Sequence, residues 1–98
     1  MARRYVLSTR AKSDLEEIWN YTESHWDFDQ AERYVHELRR HIEAIAAHPM
    51  SGRPCPEVRA GYYKYRAGSH FVFYRITSDG VDVVRILHER MDFRRHLS

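Results

Sequence analysis

Two stretches of the chain carry apolar residues at helical spacing. Between Ser8 and Trp26, the residues Ala11, Leu15, Ile18, Trp19, Thr22 and Trp26 fall on one stripe, while Lys12, Asp14, Glu16, Glu17 and Glu23 lie outside it. Ser8 or Thr9 is placed to cap this helix. In the second stretch Phe28, Ala31, Val35, Leu38, Ile42 and Ile45 follow one another in steps of three and four, a helical seam. Asp27 stands at its N-cap, and Gln30 is spaced to complete a reciprocal capping pair. Pro49 drives His48 out of the helical region and ends the element. So short a connection makes the two helices an antiparallel hairpin.

The pattern then changes period. Arg4 to Leu7 reads as a short opening strand with Tyr5 and Leu7 on one face. Met50 to Glu57, with Gly52, Pro54 and Pro56, reads as a loop. Strand character resumes near Val58 and runs through Tyr62 to Arg66, with a turn at Ala67-Gly68. His70 to Thr77 is aromatic and β-branched, and Asp79-Gly80 is a two-residue hairpin signal. Val81 to Glu89 is apolar on both alternating faces, as in a central strand covered above and below. Asp92 to Leu97 is long enough for one terminal helical turn. The order β-α-α-β-β-β predicts a two-layer α+β fold, a helical hairpin packed on one face of a twisted, mainly antiparallel sheet. At 98 residues, 43% apolar and 31% charged, the expectation is one globular domain spanning residues 1–98.

Charge sharpens this division. Thr9 to His48 holds five Lys/Arg against nine Asp/Glu, and Pro49 to Ser98 holds nine against five. The acidic helical half and basic sheet half point to an acidic partner, a nucleic acid or an acidic protein segment. Arginine outnumbers lysine fourteen to two, and its planar fork suits carboxylate and phosphate recognition. No apolar run reaches the roughly 20 residues of a membrane span. No apolar segment follows Arg3-Arg4 as it would in a secretory signal, so the expected location is cytoplasmic, without membrane contact.

Most catalytic chemistry finds no footing. His36 and His41 are offset by five, which turns the second about 140° from the first and separates two would-be zinc ligands. The single cysteine, Cys55, makes neither a disulfide nor a zinc knuckle. The four glycines are isolated and form no phosphate loop, and Ser69-His70 has no nucleophile elbow. No metal and no cofactor is therefore expected. Metal-free RNA cleavage is the remaining catalytic option, since it needs cations around a phosphate and one proton-transfer group. Lys64 and Arg66 alternate on one strand face, and His70, Arg75, Arg85, His88 and Arg90 lie on neighbouring strands.

The segment S-T-R-A-K-S-D-L-E-E-I-W-N-Y from Ser8, the Gly52-Arg53-Pro54 turn, G-S-H-F-V-F-Y-R-I and V-V-R-I-L-H-E-R-M-D, in this order and spacing, resemble the ParE-type toxins of the RelE/ParE toxin–antitoxin superfamily over essentially the whole chain. The resemblance implies the same β-α-α-β-β-β fold. It also implies a ParD-like antitoxin that neutralises the toxin with its C-terminal segment and binds operator DNA itself, so that the toxin meets operator DNA only indirectly. Free ParE-type toxins inhibit DNA gyrase and arrest growth without turnover chemistry, whereas RelE relatives cut messenger RNA on the ribosome. Carried onto this chain, the ribonuclease set falls at Lys64, Arg66, His70, Arg90 and His96, with no tyrosine at the last position. That gap makes gyrase inhibition the first expectation and RNA cleavage, or a non-toxic antitoxin-binding remnant, the alternatives. The basic residues Lys64, Arg66, Arg90, Arg94 and Arg95 are the candidates for a target-binding surface. Trp19, Tyr21, Trp26 and Tyr34 are candidates for antitoxin contact, because large amphipathic rings dominate binding hot spots.

Overall fold

The computed structural model describes residues 4–97. Strand β1 (Arg4–Leu7) leads into helices α1 (Thr9–His25) and α2 (Phe28–Ala47). A 3-10 turn at Pro49–Ser51 precedes β2 (Arg53–Pro54), β3 (Tyr62–Ala67), β4 (His70–Ile76), β5 (Gly80–His88) and a terminal helix α3 (Phe93–Leu97). The strands form one sheet in the order β1-β5-β4-β3-β2. β1 runs parallel to β5, because the helical hairpin carries the chain across before the antiparallel run begins. The architecture is the α+β arrangement expected.

The caps form as the sequence predicts. Ser8 Oγ accepts the Ala11 amide at 3.0 Å, and Asp27 Oδ1 accepts the Gln30 amide at 2.8 Å. Among the described residues the Gln30 side chain makes no return bond, so only half of the capping pair is present. Gly80 pairs with Arg4, and its φ of 159° brings the backbones so close that a Cβ would run into the Arg4 carbonyl. This explains why glycine, with no side chain, stands at the start of β5.

Four expectations need correction. Strand β3 begins at Tyr62, not near Val58: residues 55–61 fold as consecutive turns, with Val58 N–H donating to Cys55 O at 3.1 Å and Tyr62 N–H to Arg59 O at 3.1 Å. Arg53 and Pro54, read as loop, pair with Lys64 and Tyr63 as an edge strand, a position where proline's missing donor is tolerated. Trp26 and Phe28, read as members of the two apolar stripes, are 74% and 58% exposed at the hairpin tip, beyond the reach of the sheet. Asp14, read as lying outside the stripe, is buried.

β5 is covered on both faces. On one side Leu15, Ile18, Leu38, Ile42 and Ile45 of the hairpin pack on Val72, Tyr74, Val81, Val83 and Ile86. On the other, Cys55, Tyr62, Phe73, Leu87 and Leu97 form a smaller core, flanked by Phe71 and Phe93. Phe93 meets Phe71 and Phe73 edge-on, with centroids at 5.4 and 4.9 Å, and so anchors α3 to the sheet.

Candidate functional site

β1 ends at Leu7, opposite Val83, so β5 runs on with an open edge from Val84. Unpaired backbone groups at such an edge need partners, and α1 supplies them from side chains. Ser8 Oγ donates to Val84 O at 2.7 Å, and Asp14 Oδ2 accepts the Ile86 amide at 2.9 Å. The same carboxylate takes Arg85 in a fork, Nε to Oδ2 and Nη2 to Oδ1, both at 2.9 Å. Arg85 Nη1 continues to His96 O at 3.2 Å, which ties α3 to the pair. This bonding to Asp14 raises the Arg85 pKa further.

Past Asp14, α1 diverges from the strand and leaves a cleft of about 480 Å³. Its walls are mainly apolar, with Ile18, Tyr21, Ile86 and Met91, and Glu17, His70, His88 and Arg90 bring polar groups to it. His70 and His88 are cross-strand partners with ring centroids 5.2 Å apart. Tyr34 of α2 binds this pair from above. Its hydroxyl accepts the Ser69 amide at 3.1 Å and is hydrogen-bonded to His70 Nδ1 at 2.7 Å. Burial, reinforced by the His88 charge, lowers the His70 pKa from 6.5 to about 4. His88 Nδ1 accepts the Arg90 amide at 3.2 Å. Both rings are thus held through Nδ1, that of His88 as the acceptor.

The register decides which candidates meet. Arg66 stands opposite Phe71, and His70 opposite Ala67. Direct cross-strand partners share a face, so Lys64 and Arg66 lie on the helix-free face and His70 on the helix side. Lys64 and Arg66 flank the Phe71 ring, each 5.6 Å from its centroid, and Arg66 pairs with Glu89 at 2.7 Å. α3 sits on the same face through Phe93, with Arg94, Arg95 and His96 exposed. The structure therefore groups Lys64 and Arg66 with α3 on one face, and His70, His88 and Arg90 at the cleft. It does not assemble the ribonuclease set.

The aromatic candidates also divide. Tyr21 lines the cleft and stacks on His25 at 3.9 Å. Trp26 projects at the hairpin tip. Trp19 closes the hairpin instead, with Nε1 donating to Glu32 at 2.9 Å and its ring edge-on to Phe28 at 5.5 Å. Tyr34 is engaged with His70 and Ser69. Sequence reasoning named Arg85 only among the cations of the sheet and missed its pairing with Asp14, although each interrupts an apolar pattern: Asp14 at helical spacing between Ala11 and Ile18, Arg85 inside Val83-Val84-Arg85-Ile86-Leu87. Among the described residues no cluster of three or more His, Cys, Asp or Glu could hold a metal, and no helix is long and apolar enough to cross a membrane.

A family model described as the ParE toxin of type II toxin-antitoxin system, parDE, matches residues 5–93. Toxin ParE1 of Mycobacterium tuberculosis is 53% identical over 98 residues, covering 99% of this chain and 100% of that protein. Toxin ParE1 of Caulobacter vibrioides is 48% identical over 93 residues, covering 95% and 96%. A solved structure titled as the chromosomal ParDE system from P. aeruginosa superimposes with a TM-score of 0.77 at 13% identity, covering 89% of this chain and 96% of that one, a likeness of fold. The chain belongs to the ParE toxins of the type II toxin–antitoxin systems.

Proposed function

We propose that this toxin arrests growth in the cytoplasm by binding DNA gyrase through its basic helix-free face, and that its antitoxin silences it from the α1–β5 cleft. The observation that carries the target reading is the division of the basic and imidazole groups between the two faces of the sheet. Acid–base cleavage of a phosphodiester needs cations and a proton carrier around one phosphate. Here Lys64 and Arg66 are separated from His70 by the sheet itself, and His70 is held neutral with Nδ1 engaged by Tyr34. A cationic surface acting by contact is the reading left. Lys64, Arg66, Arg94 and Arg95 form it.

The cleft suits an amphipathic antitoxin segment. Apolar walls receive its apolar side, and Arg90 at the rim receives a carboxylate. Tyr21 contributes a large exposed ring, with Trp26 at the neighbouring helix end. Purified gyrase and a ribosomal translation extract test the target. Loss of supercoiling with messenger RNA intact is expected, and cleaved messenger RNA with normal supercoiling would reverse the assignment.

A further inference from the structure

A second concavity lies along the edge of β5 at Val84, away from the antitoxin cleft. Two depressions, about 350 and 330 Å³, adjoin there and share Ser8 and Val84 as walls. The first is lined by Arg59 and Arg75, the second by Arg10, Arg85 and His96, and Asp82 is the one carboxylate in either wall. Together they make a linear groove with cations at both ends.

Local structure builds this groove. The register of β4 on β5 shifts between Phe73 and Tyr74, so β5 carries an extra residue around Val84 and Arg85. Such a bulge re-aims side chains. Arg85 swings to Asp14, and Val84 is left as the floor. The turns of residues 55–61 hold Arg59 over the Tyr62 ring, 6.0 Å from its centroid. The start of α1, a 17-residue helix, meets the second depression at Thr9 and Arg10, bringing its unpaired amides and positive dipole end. Arg75 has Asp82 at 3.4 Å and Arg85 has Asp14, but no carboxylate of the described residues lies within 4 Å of Arg10 or Arg59.

We propose that this groove binds a nucleic-acid backbone, taking one phosphate between Arg59 and Arg75 and another between Arg10 and the α1 N-terminus. Guanidinium forks and helix amides match the several acceptor oxygens of a phosphate. Two joined depressions with charge at each end match a ligand whose charges repeat along a line. The apolar floor of Val84 and the exposed Val6 accepts sugar rings. Phosphate and sugar contacts carry no sequence information, so the proposed contact is independent of sequence. An acidic peptide would meet the same cations and helix amides but carries no sugar rings for the apolar floor.

The test is fluorescence anisotropy of a labelled 20-base-pair duplex with the purified full chain at 50 and 200 mM salt. Two or three phosphate contacts weaken binding about 10- to 40-fold across that range. Arg10→Gln with Arg59→Gln is expected to weaken binding at least tenfold at 50 mM salt and to flatten the salt dependence. Arg94→Gln with Arg95→Gln is expected to bind as the parent does. Unchanged binding by the first variant, no binding by the parent, or displacement by polyglutamate as effective as by unlabelled DNA overturns the proposal. Because no gyrase is present, such a failure leaves the target reading untouched.

Discussion

Asp14 of α1 holds Arg85 of β5 through two 2.9 Å hydrogen bonds across 71 residues of sequence, and takes the Ile86 amide as well. The carboxylate does for the open edge of β5 what a longer β1 would have done. It also links the helical hairpin, the sheet and α3 through a single guanidinium.

Removing one partner strands the other with little solvent, since their side chains are 14% and 8% exposed. Arg85→Met is expected to destabilise the fold by about 3 kcal/mol, as is usual for a broken buried pair. Asp14→Leu with Arg85→Met should cost clearly less than the sum of the single changes. Urea unfolding of the four proteins completes the cycle, and strict additivity would show that the two groups act independently.

Tyr74 makes a comparable tie inside the core. Its hydroxyl accepts the Gly52 amide at 2.9 Å and donates to Pro49 O at 2.7 Å, fastening the loop after α2 to β4. Burial raises its pKa, so the phenol is neutral. Tyr74→Phe keeps the ring but leaves a donor and an acceptor unmatched, with an expected loss of about 1–3 kcal/mol. Hydrogen exchange should locate the effect, with loss of protection at Gly52 and not at Val83.

His70 makes stability depend on pH. Its folded pKa of about 4 lies below the ordinary 6.5, so the unfolded chain binds the proton more readily. Stability from this group is full above pH 6.5 and is lost as pH falls toward 4. Discounted for partial exposure, the loss is about 2 kcal/mol. Urea midpoints measured from pH 4.5 to 7.5 should fall less steeply for His70→Gln than for the parent. Parallel curves would place the titration elsewhere.

The cleft offers a steric test. Thr22 lines it, and its hydroxyl donates back to Ile18 O of the same helix at 2.7 Å. Thr22→Trp should fill the cleft and raise the antitoxin Kd about 100-fold, equal to about 2.7 kcal/mol. The circular dichroism spectrum and gyrase inhibition should be unchanged. Antitoxin binding at parental strength would move the docking surface elsewhere.

Local pattern carried most of the architecture. The capped helices, the β4–β5 hairpin and the two-sided cover of β5 each follow from residues close in sequence, although Gly80, read as half of the hairpin turn, already belongs to β5 and leaves Ser78 and Asp79 between the bonded Thr77 and Gly80. What escaped depends on distant residues. Periodicity ran through Phe28 and Trp26 because a helix repeats whether or not a sheet lies beneath it. Two residues, Arg53 and Pro54, are too few to show a strand period. Asp14 looked like an ordinary surface charge, and Arg85 like one more cation of the basic sheet, until the fold brought them together. Within the site, the alternation of Lys64 and Arg66 was legible, but their separation from His70 rests on pairing register. A one-residue shift would have reversed it.

The basic residues separate by face, and the proposed roles separate with them. Arg90 lies at the rim of the cleft, whereas Arg94 and Arg95 ride on α3 beside Phe71, Lys64 and Arg66. Arg90→Glu should therefore weaken antitoxin binding about tenfold while gyrase inhibition persists. Arg94→Glu with Arg95→Glu should abolish growth arrest while antitoxin binding persists. The charge of Arg66 is already met by Glu89, so Arg66→Gln should reduce arrest less than Lys64→Gln. Titration of the antitoxin against each variant, alongside supercoiling by purified gyrase, reads both arms. If Arg90→Glu fails at gyrase and Arg94→Glu/Arg95→Glu fails at the antitoxin, the two surfaces have been exchanged.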